Sequence, residues 1–185
     1  MMRLASPLLR LAVVAVVALP LTLAARPAAA QVRGLDIHYV PTPPAVVDAM
    51  LSLARVTATD VVYDLGSGDG RIPIEAATRH GAEGIGVELD PALVKRARKG
   101  AKDAGVEKRV HFTRADIFKT DLSKATVVTL YLSPTINLRL REKLRRELRP
   151  GSRIVSHRFD MGDWKPDEQR VVDNIHVFLW AIPPR

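Results

Sequence analysis

Val61-Val62-Tyr63-Asp64-Leu65-Gly66-Ser67-Gly68-Asp69-Gly70 is the stretch that decides the fold. Its first half is β-branched, aromatic and aliphatic, with a single acid, Asp64, near its end, which is the make-up of a short buried strand. Its second half carries glycine at every other position, so the chain must turn sharply as soon as the strand ends. A helical run from Arg71 to about His80 follows, and strand, glycine turn and helix together open a βαβ unit. In a parallel sheet such a turn lies at the carboxyl end of its strand, where ligands bind. The helix behind it presents free N–H groups suited to a carboxylate. The dinucleotide fingerprint counted from Gly66 requires glycine at position 71, where Arg71 stands, so that cofactor class fails by one residue.

Working outward, the same rhythm continues. A second strand over 84–88 ends at Leu89-Asp90, and Pro91 opens the next helix. A third strand over 110–113 leads into Ala115-Asp116-Ile117-Phe118, and a fourth over 126–132 is nearly all apolar, as a central parallel strand requires. Ser133-Pro134 starts a helix to about Leu148 that Pro150-Gly151 stops, and a fifth strand covers 153–156. The segments 170–172 and 175–182 read as an antiparallel pair about an Asp173-Asn174 turn. Upstream, Tyr39-Val40-Pro41-Thr42-Pro43-Pro44 leads into a helix with Val46, Val47, Met50 and Leu51 apolar, and Thr42 is placed to cap it. The fold class is therefore α/β, a mostly parallel sheet with helices on both faces and an antiparallel C-terminal hairpin.

Glu88 lies 20 residues beyond Gly68, at the end of the second strand. A carboxylate there can accept both hydroxyls of a ribose; the plainer reading is a strand-end acid in a surface pair.

The acid-x-Gly-x-Gly-x-Gly form of Asp64, Gly66, Gly68 and Gly70 resembles motif I of class I methyltransferases. The lead-in Tyr39-Val40-Pro41-Thr42-Pro43, the stretch Val128-Thr129-Leu130-Tyr131-Leu132-Ser133-Pro134 and the run Ser156-His157-Arg158-Phe159-Asp160-Met161-Gly162-Asp163-Trp164 accompany it. Together, over 38–182, they are similar to small bacterial relatives of the mitochondrial lysine methyltransferases that act on the adenine nucleotide translocase and the ATP synthase c-subunit. The resemblance implies a Rossmann-like, seven-stranded sheet and S-adenosyl-L-methionine as cofactor. It implies that Asp116 accepts from the adenine amino group while Ile117 packs on the ring. Tyr39 and Thr42 would close the site, Thr42 near the methionine carboxylate, and Tyr131 would line the acceptor channel.

Each role has a plainer rival: a turn cap for Asp116, a helix cap for Thr42 and a packed core tyrosine for Tyr131; His157 and Asp160 would either assist in orienting the acceptor or form a structural hydrogen-bonded pair. The implied reaction is in-line methyl transfer to a protein lysine. The alternatives are an RNA or small-molecule methyltransferase, or a protein that binds the cofactor without turnover. No Asn-Pro-Pro-Tyr motif follows the fourth strand, where Leu132-Ser133-Pro134 stands, and this weighs against base and glutamine amino groups as acceptors.

Composition bounds the rest. The 185 residues suit one domain, and the absence of cysteine excludes disulfides, thiolate metal sites and a cysteine nucleophile. The net charge of +8 suits either solubility or an anionic partner such as nucleic acid. On the helix over 134–148, Ile136, Leu140, Leu144 and Leu148 form an apolar stripe beside Arg139, Arg141, Lys143, Arg145 and Arg146. That basic face is either solvated or a contact for anionic lipid or an acidic partner.

Residues 1–30 stand apart from the 31–185 domain. Arg3 and Arg10 precede an apolar run over 11–23, and Ala28-Ala29-Ala30 offers a signal-peptidase site, so export or membrane association after cleavage near Ala30 is expected. A cytoplasmic-facing anchor is the alternative, and the cytosolic synthesis of S-adenosylmethionine stands against export.

Overall fold

A computed structural model describes residues 39–184, so the leader over 1–30 and the start of the expected domain lie outside the described residues. In chain order the elements are α1 (Pro44–Leu53), β1 (Val61–Leu65), α2 (Arg71–His80), β2 (Glu83–Glu88), α3 (Pro91–Asp103) and β3 (Val110–Arg114). They continue as β4 (Val127–Leu130), α4 (Pro134–Glu147), β5 (Arg153–His157), β6 (Glu168–Val172) and β7 (Ile175–Ala181).

One seven-stranded sheet runs in the order β3-β2-β1-β4-β5-β7-β6. The first five strands pair in parallel, and β7 inserts antiparallel between β5 and β6. Strand order reverses between β1 and β4, which opens a crevice at their carboxyl ends.

The period-2 alternation of the strands sorts the core onto the two faces. Tyr63, Leu65, Val128, Leu130, Ile154 and Trp180 pack with Ile136, Leu140 and Leu144 of α4. Val62, Val127, Val155 and Leu179 point the other way, against Val46, Met50 and Leu51 of α1 and Ile72 and Ala76 of α2. The apolar stripe on α4 is buried as its spacing requires, Leu148 included. Asp90 caps α3 by accepting from Ala92 N–H at 2.7 Å, and Ser133 caps α4 by accepting from Ile136 N–H. Asp173 and Asn174 both take positive φ, 50° and 61°, in the two-residue turn between β6 and β7.

Two expectations are corrected. The fourth strand is shorter than 126–132, because its neighbour β1 ends at Leu65, opposite Leu130, and turns away into the glycine loop. Tyr131 and Leu132 thus have no ladder partner on that side. Thr42 does not cap α1: Pro43 is the N-cap residue without a side-chain cap bond, and the Thr42 hydroxyl is engaged elsewhere. Among the described residues, no helix is long and apolar enough to cross a membrane.

Candidate active site

The site is built where β1, β2, β4 and β5 end. Gly66 and Ser67 donate backbone N–H bonds to Val87 C=O at 2.8 and 3.0 Å, which knits the glycine loop to β2. Gly66, Gly68 and Gly70 all take positive φ, 80°, 53° and 79°, a region that side chains with a Cβ avoid. Glu88 grips the loop directly: its Oε2 accepts from Gly68 N–H at 3.0 Å, while Oε1 accepts from Leu89 and Asp90 N–H at 2.7 and 3.0 Å. The carboxylate is only half-buried and keeps acceptor capacity on Oε2 for a ligand hydroxyl. Its partners are backbone N–H groups rather than the cation of a surface pair.

Asp64 lies beneath the loop, 3% exposed, and accepts from Thr129 Oγ1 at 2.7 Å. Burial pushes its carboxyl up to about 7; the Thr129 bond opposes that rise, and the nearby Glu88 and Asp69 charges add to it. Asp116 is half-buried just past β3, and its Oδ1 accepts from Phe118 N–H at 2.9 Å, so the turn-cap role is present. Its second oxygen is not used in that bond. Ile117 is 8% exposed and packs into the main core cluster.

The lead-in segment folds over the loop. The Tyr39 ring covers Gly68 so closely that a Cβ on that glycine would lie 2.4 Å from Cε2. Burial, and then the neighbouring Asp69 carboxylate, raises the Tyr39 hydroxyl above the ordinary tyrosine range. Thr42 is buried, and its Oγ1 lies 3.1 Å from Nδ1 of His157 at the end of β5. His157 in turn stacks on Tyr131, ring centroids 3.7 Å apart at 25°. Tyr131 is therefore neither buried in the core nor isolated: it is half-exposed, on the edge of the crevice. Burial, with Arg158 beside it, lowers His157 to about 4, so the imidazole is neutral near pH 7. The expected His157–Asp160 pair does not form, since Asp160 Oδ1 accepts from Gly162 N–H instead.

Sequence reasoning misses two supporting groups. Arg71 donates to Thr42 C=O at 2.8 Å and clamps Asp69 with Nε and a terminal nitrogen at 3.0 and 2.7 Å. Its only signal is position, directly after the last loop glycine. Ser67, inside the quoted motif, carries no signal beyond its place between two glycines. Trp164 and Trp180 pack together at 6.0 Å, and Trp180 Nε1 donates to Trp164 C=O.

The residues fit S-adenosylmethionine. The buried Ser67 Oγ, in the loop itself, has no hydrogen-bond partner among the described residues, and Glu88, bonded to the loop at Gly68, keeps acceptor capacity. A buried polar atom of this kind calls for a ligand or water.

Known proteins agree. The ANTKMT methyltransferase domain matches residues 64–168. A protein-lysine N-methyltransferase of Saccharolobus islandicus is 41% identical over 151 residues, 79% of this chain and 94% of that protein. An adenine nucleotide translocase lysine N-methyltransferase of Mus musculus is 39% identical over 132 residues, 71% of this chain; the chain spans only 57% of that longer relative. The crystal structure of an RNA methyltransferase from Salinibacter ruber in complex with S-adenosyl-L-homocysteine superposes with a TM-score of 0.78 and 57% identity, over 79% of this chain and 95% of that one. The glycine loop, its acidic partners and these likenesses place the chain in the ANTKMT methyltransferase family of S-adenosylmethionine-dependent methyltransferases.

Proposed function

We propose that this methyltransferase acts on the side-chain amine of a protein lysine. The observation that carries the reading is the aromatic edge beside the cofactor loop, Tyr131 stacked on a neutral His157 that is tied to Thr42. The names of the relatives from Saccharolobus islandicus and Mus musculus support it.

When bound, S-adenosylmethionine supplies a methyl group on a cationic sulfur, ready for in-line displacement. Glu88 would hold and orient it, Asp116 and Ile117 would serve its adenine end, and Tyr39 and Thr42 would shield it from water. The acceptor's difficulty is protonation, since only about one free lysine amine in a thousand is neutral at pH 7. Near Tyr131 and the uncharged His157, an incoming amine meets no imidazolium, and partial desolvation lowers its pKa. Tyr131 is placed to orient the amine lone pair.

A second reading is methyl transfer to RNA, favoured by the likeness to the Salinibacter ruber structure and by the net charge of +8. Incubating the full chain with methyl-labelled S-adenosylmethionine and lysate from a strain lacking the gene separates the two. Label that resists nuclease, yields to protease and maps to lysine is the expected result; label in RNA refutes the lysine reading.

We further propose that 31–185 is the methyltransferase domain and that 1–30 directs its export or membrane association as a leader cleaved near Ala30, or else holds it at the membrane as an anchor. The basic face of α4 is the weaker candidate for lipid contact. Arg139 lies 4.1 Å from the centre of the Phe118 ring, Lys143 pairs with Glu147 at 2.7 Å, and Arg141 pairs with Asp163. N-terminal sequencing of the protein from membrane and soluble fractions decides between cleavage and anchoring, and a chain found only soluble with Met1 intact refutes both.

A further inference from the structure

β5 ends in a strained turn. Phe159 N–H donates to His157 C=O at 2.9 Å, and Arg158 between them sits at φ 71°. This is a three-residue γ-turn with its central residue left-handed, the rarer form. Strain of this kind persists only where the surroundings hold it, and it clusters at functional sites.

Here three elements hold it. Arg158 N–H donates to His176 C=O at 2.7 Å, from β7. Asn137 of α4 donates through Nδ2 to Ser156 Oγ and to Phe159 C=O, both at 3.1 Å, and Ser156 Oγ donates to the same carbonyl at 2.6 Å. Asn137 and Ser156 are fully buried.

The turn's product is placement. It sets the His157 ring against Tyr131 at 3.7 Å and brings the Phe159 ring to 6.5 Å from Tyr131 at 19°. It also aims Nδ1 of His157 at Thr42, 115 residues earlier in the chain. One buried side chain, 2% exposed, therefore touches both the segment that covers the cofactor loop and the tyrosine on the acceptor side.

We propose that His157 is a positioning residue for methyl transfer, acting through Tyr131 on the acceptor and through Thr42 on the cofactor. The proposal rests on the reading that Tyr131 faces the acceptor and Thr42 the cofactor. Its ring face sets the plane of Tyr131; its Nδ1 edge fixes the lead-in segment, which Arg71 holds from the other side at Thr42 C=O. The two contacts use different parts of one side chain, so they can be separated by substitution.

His157→Asn keeps a polar group for Thr42 but removes the ring, and His157→Phe keeps the ring but removes the polar group. Each is compared with wild type in the full chain, by calorimetric titration with S-adenosylhomocysteine and by the rate of label transfer at saturating S-adenosylmethionine. His157→Asn is expected to lower the rate at least ten-fold with S-adenosylhomocysteine affinity within three-fold of wild type. His157→Phe is expected to weaken S-adenosylhomocysteine at least ten-fold and, once cofactor saturates, to recover at least three-fold in rate over the Asn variant. Thr42→Val should repeat the affinity loss.

A purely packing role predicts parallel losses in both quantities together with lowered melting temperatures, and that result overturns the proposal. So do wild-type values in both variants, or failure of both to fold. Where only one folds, its own pattern decides. If wild type labels RNA rather than lysine, the acceptor reading falls separately, and the crossed pattern is then measured on RNA.

Discussion

Replacing Asp64 with asparagine should make the ligand-free protein more stable at pH 8 and should flatten its pH profile. Asp64 sits 3% exposed beneath the glycine loop, and its carboxyl is pushed up to about 7. An unfolded chain ionises the same group near 3.9. Between those values the folded state holds a proton that the unfolded state has released. Wild-type stability therefore falls as pH rises through this window, and the loss is complete above about 7. A gap of about 3 pH units corresponds to about 4 kcal/mol in full, of which about 3 kcal/mol falls between pH 5 and pH 8.

Asparagine has nearly the same shape, keeps an oxygen to accept from Thr129 Oγ1 at the 2.7 Å now spanned, and never ionises. Urea unfolding of both proteins at pH 5 and pH 8 measures the effect, because titration elsewhere cancels in the difference. The variant should gain on wild type by about 3 kcal/mol across that interval. The gain should come with weaker cofactor binding, as expected where a site residue is held at a cost to the fold. Parallel pH profiles for the two proteins would refute the claim that burial holds Asp64 protonated near neutrality.

Two other outcomes follow from particular contacts. Glu88→Ala should weaken S-adenosylmethionine more than ten-fold by calorimetry with circular dichroism unchanged, since hydrogen bonds to a carboxylate are worth about 1.5–3 kcal/mol each; unchanged affinity would remove Glu88 from the site. Arg153→Met should cost about 3 kcal/mol or more in urea unfolding, because it strips the cation from the buried Asp60. Burial works to raise the Asp60 carboxyl, but bonds from Thr126, the Thr57 N–H and Arg153 outweigh it and hold it below the usual range. Its stabilising contribution is thus present above the unfolded pKa and lost as pH falls through the lower folded value. In the variant, acid unfolding should begin at higher pH.

What can be read from sequence divides by the range of the contact. The first three parallel strands, the Asp173-Asn174 turn and the α4 stripe depend on neighbours within a few residues, and periodicity shows them. Glu88 meeting Gly68 is a longer contact, yet a βαβ unit fixes its separation at 20 residues, so spacing suffices. Thr42 is harder. The local pattern offers it as a cap for α1, and what claims its hydroxyl instead is His157, which no local rule brings near. The early end of β4 is hidden for the same reason. Residues 126–132 are nearly all apolar, and only the departure of β1 at Leu65 decides where the ladder stops. Arg71 reads as the residue that spoils a dinucleotide motif, while its actual work is to join Asp69 to the backbone of Thr42.

The glycine motif itself has a double meaning that only the packing exposes. Read as sequence, Gly66 and Gly68 leave room for a ligand. In the structure, protein also presses into the space a Cβ would take: Leu132 Cδ2 would lie 2.7 Å from one on Gly66, and Tyr39 Cε2 would lie 2.4 Å from one on Gly68. Leu132 follows the end of β4, and Tyr39 belongs to the lead-in segment. The bare loop is thus a surface onto which both walls of the site close. A larger residue at either glycine would displace a wall before it met the cofactor. The same two missing side chains therefore set how closely the lead-in and the residue after β4 approach the loop, which ties three segments far apart in the sequence into one packed cluster.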